Sequence, residues 1–154
     1  MNTLTSYIHE VLKIGKNISK FSTYSCQPKT KYELFKTIRA RISKEGPNCD
    51  LNDIDTSLIT NMSELFVDLI FNGDIGKWNV SHVEDMWGMF AYSDFDGNIS
   101  KWDVSNVKNT ANMFRKNKFN QDISNWKINK NCDIDDMFFD CPIKEEHKPK
   151  ALQK

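Results

Sequence analysis

Apolar and aromatic residues recur along residues 71–138 at a fixed spacing of 24 positions, with no gaps. Ile75, Ile99 and Ile123 form one column. Trp78, Trp102 and Trp126 form a second, and Val80, Val104 and Ile128 a third. Met89, Met113 and Met137 follow, each with its neighbour Phe90, Phe114 or Phe138. One period earlier, Leu51, Ile54, Ile59, Met62, Leu65 and Phe66 continue the pattern in degenerate form. A single 24-residue segment cannot bury its own apolar side. Stacked segments can, because each column then packs on itself, so a repeat of this length predicts a solenoid.

Within one repeat the pattern changes. Trp78-Asn79-Val80 alternates apolar and polar positions, the period of a half-buried strand. Val83, Met86, Met89 and Phe90 recur at the spacing of a helical turn, and Ser81 with Glu84 reads as a capping box between the two. Asn72-Gly73 and Asp96-Gly97 are turn dipeptides expected to supply positive φ. A strand, a short helix and a turn per repeat predict an α/β fold: a right-handed, leucine-rich-repeat-like solenoid of about four 24-residue coils.

The run Phe-Asn-Gly-Asp-Ile-x-x-Trp-Asp-Val-Ser-x-Val-x-x-Met-x-x-Met-Phe resembles the BspA-like leucine-rich repeats, which also occur in mycoplasma surface lipoproteins and in phage and gut-bacterial proteins. The resemblance spans about residues 48–142. It implies a right-handed solenoid with a binding role, and it transfers no catalytic residue because the shared motif is one of packing. The last repeat departs from it, with Asn131 and Ile134 in place of the usual Val and Met.

The rest of the chain divides into appendages. In 1–14, Leu4, Tyr7, Ile8, Val11 and Leu12 share one face of an amphipathic helix. Such a helix is marginal in water alone and needs a surface to dock on. The opening run, from Met1 to Glu10, also resembles the leaders that direct internal proteins of T-even-like phages into the prohead. That resemblance implies trimming after Ile8-His9-Glu10. Residues 15–29 read as a polar linker. Thr30 with Glu33 is a capping box that opens a helix over 30–46, with Leu34, Phe35, Ile38 and Ile42 on its apolar stripe and Gly46-Pro47 to stop it. This helix is the expected N-terminal cap of the 47–142 solenoid. The tail, 143–154, is charged and expected to be disordered.

Composition narrows the function classes. Lys plus Arg number 21 and Asp plus Glu number 21, so no net field draws nucleic acid. No apolar run approaches the roughly 20 residues that span a bilayer, and 1–14 is too polar for a signal peptide. A cytoplasmic or virion location is therefore expected, with no membrane partner. Cys26, Cys49, Cys132 and Cys141 form no Cys-x-x-Cys, and free thiols are expected. His9, His82 and His147 are scattered. Asp133, Asp135, Asp136 and Asp140 crowd the last repeat but do not form a calcium loop. No phosphate loop, nucleophile elbow or paired-carboxylate motif is present. No catalytic residue, metal or cofactor is expected.

What remains is surface. Side chains between the buried Trp and Val positions form ladders across the expected sheet, among them Lys77, Lys101, Asn79, Asp103 and Lys127. Trp87 shares its column with Ser63 and Ala111, and with Tyr92 it is a candidate aromatic anchor of the kind that dominates interfaces. The expectation is a non-enzymatic module that binds a protein partner and is encoded by a phage or mobile element. The alternative is an exported, adhesin-like surface repeat protein.

Overall fold

The computed structural model describes residues 24–154. The amphipathic segment 1–14, with Ile8 and Glu10, and the first part of the linker lie outside the described residues.

The expected α/β solenoid of four strand-and-helix coils is not formed. Among the described residues there is one α-helix, α1 (Lys31–Glu45), two short 3-10 turns, and no sheet. Parallel pairing is confined to isolated bridges: Cys26 with Ile54, Asp50 with Asp74, Asn61 with Asp85, Asp85 with Asn109, and Asn109 with Asp133. All but the first of these keep the 24-residue offset of the sequence.

The expected strand at Trp78-Asn79-Val80 is lost to turns on either side. Trp78 N–H donates to Ile75 C=O at 3.1 Å, and Val83 N–H to Val80 C=O at 2.9 Å. The expected helix over Met86 to Phe90 is replaced by overlapping β-turns. Met89, Ala91 and Ser93 N–H donate to Met86, Gly88 and Phe90 C=O, and the segments beginning at Met62, Thr110 and Ile134 repeat this. The intervening N–H groups of 62–68, 86–92 and 110–116 leave their own segment and donate to the next one, 23 residues on, at 2.7–3.1 Å. In 62–68, 86–92 and 110–116 each backbone donor is therefore satisfied within its turn or across to the neighbouring segment, never by a bond four residues back.

Left-handed residues make this alternation possible. Glu64, Gly88, Asn112 and Asp136 have φ between 55° and 58°, and Asp68, Tyr92, Lys116 and Asp140 between 51° and 57°. A non-glycine residue there costs about 1–2 kcal/mol relative to a right-handed one. Cross-segment N–H bonds hold five of these, Glu64, Asp68, Tyr92, Asn112 and Lys116, in place. Apolar spacing of three and four residues thus fits this turn ribbon as well as a helix. Ser81, expected to cap a helix, instead hydrogen-bonds Asn79 Oδ1 at 2.7 Å.

The glycines expected to provide positive φ do something else. A Cβ on Gly73 would lie 2.0 Å from Cys49 C=O, and one on Gly97 would lie 2.7 Å from the Phe95 ring. These glycines permit close approach.

The core is a set of aromatic columns. Phe66, Phe90, Phe114 and Phe138 stack at centroid distances of 5.3, 5.6 and 5.7 Å. Phe71, Phe95 and Phe119 form a parallel column at 6.1 and 6.4 Å. Each buried indole donates to the preceding segment: Trp78 to Leu51 C=O, Trp102 to Ile75 C=O and Trp126 to Ile99 C=O, at 2.8, 3.2 and 3.1 Å. These bonds satisfy the polar atom of each otherwise apolar side chain.

Both ends carry a cover. Thr30 Oγ1 accepts Glu33 N–H at 3.2 Å to cap α1, which sets the buried Leu34 and Ile38 on the core. Residues 25–28, read as linker, are bound: Ser25 N–H donates to Asp53 C=O, and Asp55 N–H to Cys26 C=O. The tail is not a free segment. It forms 3-10 turns at Glu145–His147 and Lys150–Leu152, buries Ile143, and takes the Ile123 N–H on His147 C=O at 3.0 Å.

Candidate functional site

Two surfaces result from the turn ribbon. On one, the left-handed positions push side chains outward while Met86, Met89 and Phe90 stay buried. There Trp87 is 41% and Tyr92 49% exposed. They wall a groove of about 300 Å³ whose remaining lining is Glu64, Val67, Asp68, Gly88, Ala91, Asn112 and Arg115. Gly88 forms part of the floor. It occupies a left-handed position at φ 58°, and where its column mates carry Glu64 and Asn112 it carries no side chain.

The groove is electrically asymmetric. At one side Arg115 Nε donates to Tyr92 Oη at 3.3 Å, and its guanidinium also pairs with Asp136 and lies 4.2 Å from the Phe139 ring centroid. The bond to Tyr92, followed by that to Asp136, raises the Arg115 pKa further above its ordinary value. Lys116 Nζ sits 5.7 Å from the Tyr92 ring centroid. At the other side stand the Glu64 and Asp68 carboxylates. Among the described residues neither makes a side-chain hydrogen bond or an ion pair. Asp85 belongs to the frame, since its carboxylate accepts Trp87 N–H at 3.0 Å and Asn61 Nδ2–H at 3.0 Å.

The second surface carries the charged ladder. Lys77 and Lys101 flank a shallow depression with Asp74 and Asn98. Lys101, Asp103 and Lys127 line another with Asn125. Two of the expected binding residues are occupied by their own turns. Asn79 Oδ1 accepts Ser81 N–H at 3.1 Å and Ser81 Oγ–H at 2.7 Å. Asp103 Oδ1 accepts the same pair from Ser105 at 3.1 and 2.6 Å, and these bonds, the hydroxyl first, hold its carboxyl below the usual range. The structure thus brings Trp87 and Tyr92 together in one groove and places Lys77, Lys101, Asn79, Asp103 and Lys127 on another face.

The acidic residues of the last repeat are likewise used in turns. Asp133 Oδ1 accepts Asp135 N–H at 3.0 Å, Asp136 pairs with Arg115, and Asp136 and Asp140 hold left-handed positions. Among the described residues no three His, Cys, Asp or Glu side chains gather as metal ligands. The four cysteines are free. No helix among the described residues is long and apolar enough to cross a membrane.

Sequence reasoning missed Glu64, Asp68 and Arg115 as neighbours of Trp87. The columns held the signal: Glu64 and Asp68 stand one period before Gly88 and Tyr92, and Arg115 is one period after Ala91. Reading it required knowing that these positions face outward.

Residues 32–149 match the family described as Mycoplasma protein of unknown function, DUF285. The chain belongs to this family. No curated protein matches it, and no solved structure matches it.

Proposed function

We propose that this DUF285 chain is a non-enzymatic protein-binding module built from BspA-like repeats. The observation that carries the reading is the groove walled by Trp87 and Tyr92. It exposes two large aromatic side chains beside the buried Met86, Met89 and Phe90 of the same segment. Exposed aromatics set on a rigid frame are the usual anchors of protein interfaces. The ladder of Lys77, Lys101 and Lys127, with Asn79 and Asp103, would orient a partner and speed its approach rather than hold it. The resemblance of the opening residues to phage leaders supports a phage- or mobile-element-encoded protein acting in a virion or host cytoplasm.

With a partner captured from the native source and identified by mass spectrometry, Trp87→Ala weakens its binding by more than about 2 kcal/mol, the hot-spot threshold. Lys77→Glu with Lys101→Glu mainly slows association and changes its salt dependence. Normal binding by the Trp87 variant, with loss of binding by the lysine variant at every salt concentration, moves the site to the ladder face. Protein isolated from particles begins at Val11 if Ile8-His9-Glu10 is a processing signal, and an intact Met1 there ends that part of the reading.

A second reading, an exported adhesin-like surface repeat protein, is favoured by the match to a family described from Mycoplasma. The groove serves both readings. They differ in where the chain acts, which fractionation of the source cells decides.

A further inference from the structure

We infer that the groove beside Trp87 takes an arginine side chain from an exposed segment of the partner protein. The inference rests on the reading of the chain as a protein-binding module and adds the chemistry of what it binds.

Three observations converge. The first is charge. Glu64 and Asp68 line the groove with no ion pair or side-chain hydrogen bond among the described residues. The one basic residue that lines the groove, Arg115, is already paired with Asp136 and bonded to Tyr92, while Lys116 and Lys31 lie outside the lining. The lining therefore carries an excess of negative charge, and a cation is the complementary ligand.

The second is the wall. Trp87 is 41% exposed, and its backbone is fixed on both sides, by its N–H on Asp85 and by its C=O accepting Glu64 N–H at 3.0 Å. An indole is the best aromatic partner for a cation, and a planar guanidinium stacks on it where an ammonium cannot. The molecule itself stacks a guanidinium on an aromatic ring nearby, Arg115 on Phe139 at 4.2 Å.

The third is register. Glu64 N–H bonds Trp87 C=O and Asp68 N–H bonds Ala91 C=O at 3.1 Å, so both carboxylates sit one segment away from the Trp87–Ala91 floor. Two carboxylates beside an indole suit the forked donors of guanidinium, which pair with carboxylate through parallel N–H bonds. The aliphatic stem of the same side chain covers Val67 and Ala91. Gly88 leaves the floor open for it.

The test uses the full chain and a fluorescein-labelled Gly/Ser nonapeptide with one central arginine, compared with its lysine and citrulline versions at low salt. Fluorescence anisotropy is expected to show the arginine peptide binding at least tenfold more tightly than either. Glu64→Gln with Asp68→Asn, and separately Trp87→Ala, are expected to lower arginine-peptide affinity at least tenfold. Lys130→Gln, an exposed change outside both the groove and the ladder, leaves it unchanged. Thermal melting of each variant separates lost binding from lost folding, and peptide chemical shifts confined to the groove in an NMR titration give a readout that needs no variant. Equal binding of the citrulline peptide, equal binding of the lysine peptide, or undiminished binding by the folded carboxamide variant overturns the inference. If an identified partner still depends on Trp87 while no arginine peptide binds, the inference fails and the protein-binding reading stands.

Discussion

The turn segments 86–93 and 134–141 share a sequence pattern and a backbone, yet they differ in what surrounds them. In the first, Met86, Gly88, Phe90 and Tyr92 donate their N–H groups to the next segment, and Phe90 is fully buried between Phe66 and Phe114. In the second, the corresponding N–H groups of Ile134, Asp136, Phe138 and Asp140 have no acceptor among the described residues, Phe138 is only partly buried, and Ile134 and Phe139 are exposed. The β-turns are the same in both. The burial and the cross-segment bonds of a segment thus come from its neighbours rather than from its own turns, as expected where each repeat contacts only the next.

The largest expected effect tests that contrast directly. Phe114 stacks with Phe90 and Phe138, and with Phe119 at 4.3 Å. Phe114→Ala is expected to cost about 3–5 kcal/mol in urea denaturation, and Phe138→Ala clearly less. Equal midpoints for the two variants would erase the distinction between interior and end.

Next comes the column that ends each segment, Leu69, Ser93, Asn117 and Cys141. Asn117 is buried, with Nδ2 donating to Phe90 C=O, Ser93 C=O and Ser93 Oγ at 2.8–2.9 Å and Oδ1 accepting Phe119 N–H at 2.7 Å. Its counterpart in the last segment, Cys141, makes one weak bond, to Phe119 C=O at 3.3 Å. Asn117→Ala removes the partner of Ser93 C=O and of Phe119 N–H and is expected to cost about 1–3 kcal/mol, against a smaller loss for Cys141→Ala. A larger loss at Cys141 would reverse the comparison.

The turn carboxylates sharpen it by pH. Asp74 is held below its ordinary pKa, first by the Gly76 N–H it accepts at 2.8 Å, and Asp122 likewise by Ser124 N–H. A carboxyl depressed in the folded state adds stability above its unfolded pKa, and that stability is lost as pH falls through the folded value. Melting temperature is therefore expected to fall on acidification below about pH 4, the ordinary Asp range. Asn98 makes the same turn bond one period on, to Ser100 N–H at 3.0 Å. Asp74→Asn should accordingly keep the fold and flatten part of the acid decline. An unchanged pH profile would exclude Asp74 from it.

The smallest effects belong to the exposed ladder. Lys101→Ala is expected to shift stability by no more than about 0.5 kcal/mol. Because the acidic residues of the last segment are spent on turns and on Arg115, EDTA is expected to leave the melting temperature unchanged. A drop on chelation would give the terminal segment a stabiliser that the interior lacks.

The sequence by itself determined the register. Identical columns 24 residues apart name the residues that stack, because a buried Ile, Trp or Phe finds its best neighbour in its own copy one period on, and the bridges and rings keep that offset. It also marked Trp87 and Tyr92 as the odd aromatics of their columns. It did not determine the elements. Apolar spacing at Val83, Met86, Met89 and Phe90 is shared by a helix and by a ribbon of β-turns. Only the cross-segment N–H bonds select the ribbon, by holding Glu64, Asp68, Tyr92, Asn112 and Lys116 at a left-handed φ that an isolated chain would avoid. The groove depends on the same step. Glu64 and Asp68 come beside Trp87 once neighbouring segments bond, since contacts of that kind are set by stacking and leave no mark in the local sequence.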